Sequence, residues 1–600
     1  MLDDLMSPWR AAKLLLMFAA AASVGCSAVS PLPSWVATTG AAVPGGDIGR
    51  SPEMPLTGPL LYQLMAAEIA VQRGELGSAY ATYLEITRQT RDARFAQRAT
   101  EIAISGRAFA QALESATLWR ELAPQSSEAA QTETALLVAS NRFADARPLL
   151  AEQIRTATPP VDALTRTQRL LARSTERAGA FALLEALAAP YANDPALAAD
   201  VKLIIANGAH AAGLNERAAD EAKAALKLRP DSERAALLAA QFVSRPDGKE
   251  SASGRAQALD LLREFLARQP DSVDARLTYA RLLVADGKLP DARGQFDQVL
   301  RGDQRNIDAL YALGVLALDG EPPRNEARRH FERYLDALEQ APQANRDPDA
   351  AYINLARIAE DEKKFDEALA WLARVGSGVQ VLNARTRQAL VLGKMKRVDE
   401  ARKLLADLPS GNDAARVQIA QTEGQLLREA RRYRDALDVL GAALARSPDD
   451  SGLLYDAAMA AERLDQVDVM ETHLRRLMQL KPDDPHAFNA LGFSLADRNQ
   501  RLPEALALIE KAHALAPEDA YILDSLGWAH FRLGNTARAR EYLERAYKKR
   551  PDAEVGAHYG EVLWTLGSHN EARTIWRESQ SRDGENETLR STLARLKVRL

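Results

Sequence analysis

Cysteine is nearly absent from this sequence. Cys26 is the only one among 600 residues, which excludes an intrachain disulfide and any metal site built from several thiolates. Aromatic residues make up only 6% of the chain, which argues against an all-β fold. The formal net charge is -5, so the concentrated positive surface that phosphate binding needs is also missing. We therefore expect no disulfide framework and no nucleic-acid partner.

Motifs that mark an enzyme active site are missing as well. The chain has no Gly-x-Ser-x-Gly turn, no Walker phosphate loop and no His-Glu-x-x-His pair. Six of the eight histidines lie between His473 and His569, yet none are paired at the i, i+3 or i, i+4 spacing of a helical metal site. We expect no enzyme activity, no cofactor, no metal and no small-molecule substrate.

The sequence does contain a recurring helical hairpin, which is clearest between Ala520 and Pro551. Apolar residues repeat there at i, i+3, i+4 and i+7 in two successive segments, which predicts two helices that each bury one face. Gly527 and Ala539 lack bulk where these helices would touch, Gly534 supplies the turn, and Pro551 ends the hairpin. This arrangement resembles the tetratricopeptide (TPR) repeat, whose period is about 34 residues.

The same period continues through most of the chain, since Pro448, Pro482, Pro517 and Pro551 are 34, 35 and 34 residues apart. The resemblance implies an all-α TPR solenoid, a superhelix in which each hairpin packs only on its neighbours. At that period the span holds roughly 14 to 16 hairpins. We divide the chain into a signal peptide (1–25), a flexible linker (26–57), irregular, degenerate repeats (58–200), TPR repeats (201–410), regular TPR repeats (411–584) and a C-terminal capping helix (585–600).

The N-terminus has the pattern of an export signal. Arg10 and Lys13 precede a run of about a dozen apolar residues, which is too short to span a bilayer and typical of a signal peptide. The run ends in Ser23-Val-Gly-Cys26, which resembles a bacterial lipobox and implies that Cys26 is lipidated. Ser27 then predicts export to the periplasmic face of the outer membrane. The alternative is a buried or free cysteine in an ordinary helix.

The resemblance to TPR proteins also predicts where partners bind. In TPR solenoids the first helix of each hairpin lines the concave groove, chiefly at its second, fifth, ninth, twelfth and thirteenth positions. Exposed aromatic side chains at such positions can anchor a protein partner. Alternatively, these aromatics only pack between adjacent hairpins. The candidate groove residues are Asn489, Phe493, Tyr521, Asp524, Trp528, Phe531, Arg532 and Trp564.

Residues 486–497, 522–528 and 557–564 resemble a family of large proteobacterial TPR lipoproteins. One type in this group, the LbcA-like adaptors, binds and activates a periplasmic carboxy-terminal processing protease and brings it cell-wall hydrolases. The resemblance implies a non-catalytic scaffold whose partners are such a protease and its substrates. The second hypothesis is a lipoprotein that assists assembly of an outer-membrane export or polysaccharide-secretion complex. A TPR-bearing transferase is disfavoured, because hairpin periodicity leaves no room for a catalytic domain.

Overall fold

A computed structural model describes residues 56–245, 249, 251–318, 324–341, 346–376, 380–409 and 411–600. The predicted signal peptide, Cys26 and nearly all of the linker lie outside these residues. The chain divides into two compact units, Met1–Asp319 and Gly320–Leu600, and the division falls within the predicted segment 201–410. Every regular element of the described residues is a helix, which confirms the all-α fold.

The first unit is a series of antiparallel helical hairpins, each packed on the next. Among its described residues each odd-numbered helix from α1 to α13 pairs with the helix that follows it, which makes seven complete hairpins. The helices are α1 (Gly58–Gln72), α2 (Leu76–Thr90), α3 (Ala93–Ser105), α4 (Phe109–Leu122), α5 (Ser127–Ala139), α6 (Phe143–Thr156), α7 (Pro160–Leu171), α8 (Arg177–Ala188), α9 (Ala198–Ala211), α10 (Asn215–Leu228), α11 (Glu233–Ser244), α12 (Ala252–Arg268), α13 (Val273–Ala285), α14 (Leu289–Gly302) and α15 (Ile307–Ala317).

The least regular part of this unit lies where the sequence is least periodic. Between residues 156 and 200 the chain forms the hairpin α7–α8, and a 3-10 turn, Ala189–Tyr191, follows directly. The next helix begins only at Ala198. A longer and partly helical connection therefore replaces the short turn that joins most neighbouring hairpins.

The second unit repeats the same arrangement. Its described residues also contain seven complete hairpins, from α17–α18 to α29–α30, and a last helix packs on α29. The helices are α16 (Asn325–Gln340), α17 (Asp349–Asp361), α18 (Phe365–Ala373), α19 (Gln380–Lys394), α20 (Val398–Ala406), α21 (Asp413–Glu429), α22 (Tyr433–Leu444), α23 (Ser451–Arg463), α24 (Val467–Leu480), α25 (Pro485–Asp497), α26 (Leu502–Leu515), α27 (Ala520–Arg532), α28 (Thr536–Lys549), α29 (Ala553–Thr565), α30 (His569–Arg582) and α31 (Glu587–Arg595).

Small residues bring the two helices of a hairpin close together, as the repeat predicts. A Cβ atom on Gly527 would lie 2.6 Å from Cγ of Leu543 and 3.2 Å from the carbonyl oxygen of Ala539. Both distances are shorter than the 3.5–4.0 Å of favourable carbon contacts, so only glycine fits there. The turn between α27 and α28 forms at Gly534, whose φ of +82° is a conformation that glycine adopts without strain.

The core of each unit consists of apolar clusters that fill the spaces within and between hairpins. In the last hairpins Leu523, Leu543 and Trp576 are completely shielded from solvent. Burying a large apolar side chain stabilises the fold by about 1.5–3 kcal/mol, which is more than an isolated helix gains from its own propensity. No described helix combines the length and the apolar character needed to cross a bilayer.

Candidate protein-binding groove

The candidate groove residues lie on the first helices of the last hairpins. The residue at which each of these helices begins therefore determines which of their side chains contact one another. Side-chain oxygens of Asp484, Asp519, Asp552 and Asn586 cap α25, α27, α29 and α31, each accepting a hydrogen bond from a backbone amide of the first turn. Such a cap contributes about 1 kcal/mol and favours a helix start at that residue. Side chains that are one repeat apart in sequence are therefore neighbours along the stack.

A buried ion pair joins α27 to α29. Nδ1 of His558 lies 3.0 Å from both carboxylate oxygens of Asp524, and the two side chains are only 2% and 8% exposed. Burial lowers the pKa of His558, but the charges of Asp524, Glu554 and Asp497 outweigh that effect and raise it to about 9. The imidazole is therefore protonated at neutral pH, and its Nδ1 donates to the carboxylate.

Aromatic rings cover this charged imidazole. The ring of Trp528 is stacked on His558 with a centroid distance of 4.3 Å, and the ring of Phe493 lies 5.9 Å away. Trp528 also donates a hydrogen bond from Nε1 to the Asp497 carboxylate at 3.1 Å. A desolvated cation on an aromatic face contributes about 2 kcal/mol. We call Phe493, Asp497, Asp524, Trp528 and His558 the His558 cluster, and it ties α25, α27 and α29 together.

Arg532 and Phe531 extend the His558 cluster toward solvent. Arg532 donates from Nε to the Ala496 carbonyl at 3.2 Å and from Nη2 to the Asp497 carbonyl at 2.9 Å. These carbonyls end α25, where the helix dipole favours a cation. The Phe531 ring lies 5.3 Å from the ring of Trp528. Phe531 and Arg532 are only half-buried, so both keep a solvent-facing surface.

A second ion pair joins α29 to the terminal helix α31. Arg595 donates to the two carboxylate oxygens of Glu561 at 2.8 and 2.5 Å. The Glu561 side chain is 5% exposed and that of Arg595 is 55% exposed. Two-pronged contacts between a guanidinium and a carboxylate fix orientation as well as distance. The last helix is thus held in a defined place on the first-helix face.

Five of the eight candidate residues come together in or against the His558 cluster. As whole residues, Asp524 and Trp528 are 5% and 4% exposed, so they pack between neighbouring helices. Phe493, Phe531 and Arg532 are half-buried and retain surface that a partner could contact. Trp528 thus fits the interpretation that these aromatics pack between hairpins. Its neighbours keep the exposed surface that the partner-binding interpretation requires.

The other three candidates lie apart from the His558 cluster. Trp564 packs within its own hairpin, with its ring centroid 4.1 Å from that of His569. The Tyr521 ring lies under Arg550, whose Cζ is 4.6 Å from the ring centre. Asn489 is half-buried, and its Oδ1 accepts no hydrogen bond from the described residues. A role in partner binding stays a prediction for all eight residues.

Sequence reasoning missed His558 and Arg595, although a signal for both exists. Asp524 and His558 are 34 positions apart, and so are Glu561 and Arg595. One repeat length brings residues of successive first helices side by side, so opposite charges at this interval predict contacts between hairpins. Searching for such pairs would have found both ties.

Two carboxylates at the His558 cluster are exposed to solvent. They are Asp497, a member of the cluster, and Glu554, whose charge acts on His558. Desolvation by the surrounding protein is the main cause that raises the pKa of Glu554. The charges of Asp524 and Asp552 raise this pKa further, whereas the charge of His558 lowers it. Within the described ranges no three His, Cys, Asp or Glu side chains are placed to hold a metal ion. Partly exposed rings beside an acidic margin suit the binding of a polypeptide.

Comparisons with known proteins identify the repeat and several relatives. Family models described as tetratricopeptide repeat match residues 255–316, 422–485 and 525–584. A protein of Pseudomonas aeruginosa, the TPR repeat-containing protein PA4667, is 33% identical over 505 residues, which are 84% of this chain and 82% of that protein. The cellulose synthase 2 operon protein C of Komagataeibacter xylinus is 26% identical over 53% of this chain and 24% of its own length.

Further matches are more distant. The cellulose synthase operon protein C of Pseudomonas fluorescens is 24% identical over 56% of this chain and 25% of its own length. Among solved structures, the APC/C hetero-tetramer Cut9-Hcn1 is 15% identical, covers 89% of this chain and 96% of its own, and has a TM-score of 0.32. A TPR protein of Parabacteroides merdae is 15% identical over 41% of this chain and 97% of its own, with a TM-score of 0.34.

Proposed function

We propose that this chain, which belongs to the family of the Pseudomonas TPR repeat-containing protein PA4667, is a non-catalytic scaffold for other proteins. In this proposal it is anchored to the periplasmic face of the outer membrane through lipidated Cys26. It binds and activates a carboxy-terminal processing protease and presents substrates such as cell-wall hydrolases to it. The effect comes from local concentration and orientation of the bound proteins, because tethering two partners makes their encounter intramolecular.

The single observation that carries this proposal is the partly exposed aromatic surface of the His558 cluster and of Phe531 and Arg532 beside it. Phe493, Phe531 and Arg532 are half-buried, and the Phe493 ring contacts His558 while the Phe531 ring contacts Trp528. Hydrogen bonds from Trp528 to Asp497 and from Arg532 to the end of α25 hold Trp528 and Arg532 in place. A preorganised aromatic surface loses little conformational entropy on binding, which is what a protein-binding hot spot requires.

A second candidate function is assembly of an outer-membrane export or polysaccharide-secretion complex. The similarity to two proteins named for cellulose synthase operons supports it. This chain spans only about a quarter of the length of those two proteins, so their roles as whole proteins are not transferred to it. The two candidates differ in what the scaffold should hold, a protease with its substrates or parts of a secretion machine.

Co-purification from cell envelopes separates these candidates. The tagged full chain and its Cys26→Ala variant are extracted in mild detergent, and the bound proteins are identified by mass spectrometry. Recovery of a processing protease together with wall hydrolases is the expected result, and Cys26→Ala should lose its membrane attachment. Recovery of secretion components without any protease would overturn the adaptor proposal in favour of the second candidate.

A substitution in the groove then tests where partners bind. Phe493→Ala should reduce recovery of the main partner at least tenfold, because truncating an aromatic hot spot costs about 2 kcal/mol or more of binding free energy. The matched control is Leu515→Ala, since Leu515 is 42% exposed but ends the second helix of the same hairpin. Circular dichroism checks that both variants fold. Equal partner recovery from the two variants would refute the groove as the binding site. The scaffold proposal itself would then be judged by the co-purification alone.

A further inference from the structure

The outer face of α1 is apolar and exposed. Leu61, Tyr62, Met65 and Ile69 are 44%, 75%, 56% and 45% exposed. Residues at i, i+4 and i+8 share one face of a helix, and Tyr62 lies next to that line. We call these four residues the α1 stripe. Together they present on the order of 400 Å² of exposed surface, within the range of the largest apolar patch on a typical soluble monomer, and such patches are often functional.

No charge interrupts the α1 stripe. The only charged residue of α1 is Glu68, which follows Met65 by three positions at the edge of the stripe and is half-buried. Its Oε1 accepts hydrogen bonds from the Tyr83 hydroxyl at 2.7 Å and from Nε of Arg98 at 2.9 Å, so it is engaged by the protein itself. Apart from this engaged carboxylate, the Tyr62 phenol and the exposed Gln72 amide at the end of the helix, the face is apolar, and such a surface gains free energy chiefly by being covered.

The α1 stripe corresponds to a face that later hairpins bury. Aligning Ala67 with Gly527, the small packing residues of the two hairpins, places Tyr62, Met65 and Ile69 at fixed positions in α27. The equivalents are Ile522, Ser525 and Ala529, which are 0%, 4% and 0% exposed because the preceding hairpin α25–α26 packs on them. The α1 stripe is therefore a hairpin-stacking face on which no described hairpin packs.

The other terminal helix is built differently. In α31 the exposed residues include Glu587, Arg590 and Ser591, a polar surface of the kind that ends a repeat stack and keeps it soluble. Stacking the α1 stripe on this surface would desolvate a carboxylate and a guanidinium without supplying partners for them. Residues 27–57 carry proline and glycine without helical periodicity, so the sequence predicts no helix within this linker to cover the stripe.

We propose that the α1 stripe is covered by the α1 stripe of a second copy, in a two-fold symmetric dimer. In an antiparallel pair Met65 meets Met65 of the second copy at the axis, and Leu61 meets Ile69, so the surface is complementary to itself. The four stripe residues supply on the order of 400 Å² from each copy, so the pair buries about 800 Å², the size of a weak and transient interface. We therefore expect a dimer that dissociates on dilution.

Cysteine crosslinking tests this dimer in intact envelopes. Cys26 is the only cysteine, so Met65→Cys adds a single new thiol, and the unaltered chain controls for Cys26 itself. A short bismaleimide should convert Met65→Cys to a covalent homodimer. Leu228→Cys is the matched control, because Leu228 is 55% exposed at the end of α10, outside the α1 stripe, and should remain monomeric. Crosslinking of Met65→Cys only to another protein or only to lipid, or no crosslinking, overturns the proposal.

Sedimentation of the purified full chain in detergent supplies the second measurement. Met65→Glu places two carboxylates face to face at the symmetry axis and should raise the dissociation constant of the dimer at least tenfold, whereas Leu228→Glu should leave it unchanged. Because Met65 is largely exposed, the substitution should not impair folding, which hydrogen exchange in α2 checks. A chain that sediments as a monomer at every concentration overturns the proposal.

Discussion

Replacing Asp524 by Asn should destabilise the last hairpins in a strongly pH-dependent way. The pKa of His558 is about 9 in the folded protein, against about 6.5 for an unperturbed histidine. A raised pKa means that the folded state binds the proton more tightly. The stabilisation is therefore complete below pH 6.5 and is lost as the pH rises through 9. A difference of about 2.5 pKa units corresponds to about 3 kcal/mol.

In Asp524→Asn this source of stability disappears. An amide cannot offset the burial of the imidazolium, so burial dominates and His558 becomes neutral. The loss of stability relative to the unaltered chain should thus be about 3 kcal/mol larger at pH 6 than at pH 9. A purely steric effect of the substitution would be the same at both pH values.

Hydrogen exchange measured by mass spectrometry is the appropriate assay, because a long repeat array does not unfold in one two-state step. Amides of α27 and α29 report the local opening free energy, and comparing the two proteins at each pH cancels the intrinsic pH dependence of exchange. The control is Asp465→Asn, since Asp465 is 86% exposed and its contact with Arg498 is long, at 3.4 Å. An Asp524→Asn deficit that is equal at pH 6 and pH 9 would refute the argument.

Two further predictions concern other contacts of the second unit. Gly527→Ala should lower the local stability of its hairpin by about 1–3 kcal/mol, because the added Cβ overpacks against Leu543. Gly441→Ala is the control, since a Cβ there meets nothing within 4 Å and should stabilise its helix by up to about 1 kcal/mol. Equal changes in local hydrogen exchange in both variants would contradict this prediction. A hydrogen bond from Arg501 is the main cause that lowers the pKa of Glu471, to about 2. Its stabilisation is present above pH 4.5 and lost as the pH falls through 2, so the deficit of Glu471→Gln in the local opening free energy of α24, measured by hydrogen exchange, should shrink between pH 5 and pH 2.

The hairpin fold was predictable because its determinants are local. Gly527, Ala539 and Gly534 lie within one repeat, and each has a steric role that its residue type reveals: close helix approach for two of them and a left-handed turn for the third. The recurrence of this spacing makes every hairpin an independent test of the same prediction. Neither Cys26 nor the export signal could be checked in this way, because they lie outside the described residues.

The surroundings of the candidate residues were less predictable because they depend on contacts between repeats. The positions of Trp528 and Trp564 in their repeats predict that both line the groove. In the structure Trp528 is covered by His558 of the next hairpin, whereas Trp564 packs on His569 of its own hairpin. The neighbour of Trp528 lies 30 positions away in the next hairpin, and periodicity within one hairpin carries no information about it. Pairs at one repeat interval, such as Asp524 and His558, do carry it.

These contacts between repeats also bear on how similar hairpins can present a surface of defined shape. The apolar faces of α25, α27 and α29 supply most of the stacking free energy, but contacts among Ala and Leu side chains are non-directional and tolerate small rotations between hairpins. The pair of Asp524 with His558 and the bond from Trp528 to Asp497 are directional, and each is satisfied over a narrow range of angles. Removing the charge of Asp524 should therefore change the geometry presented by Phe493 and Phe531 as well as local stability. A loss of partner binding by Asp524→Asn at pH 6, under conditions where the hairpins remain folded, would reveal that coupling. Unchanged binding would mean that apolar stacking alone sets the shape of the groove.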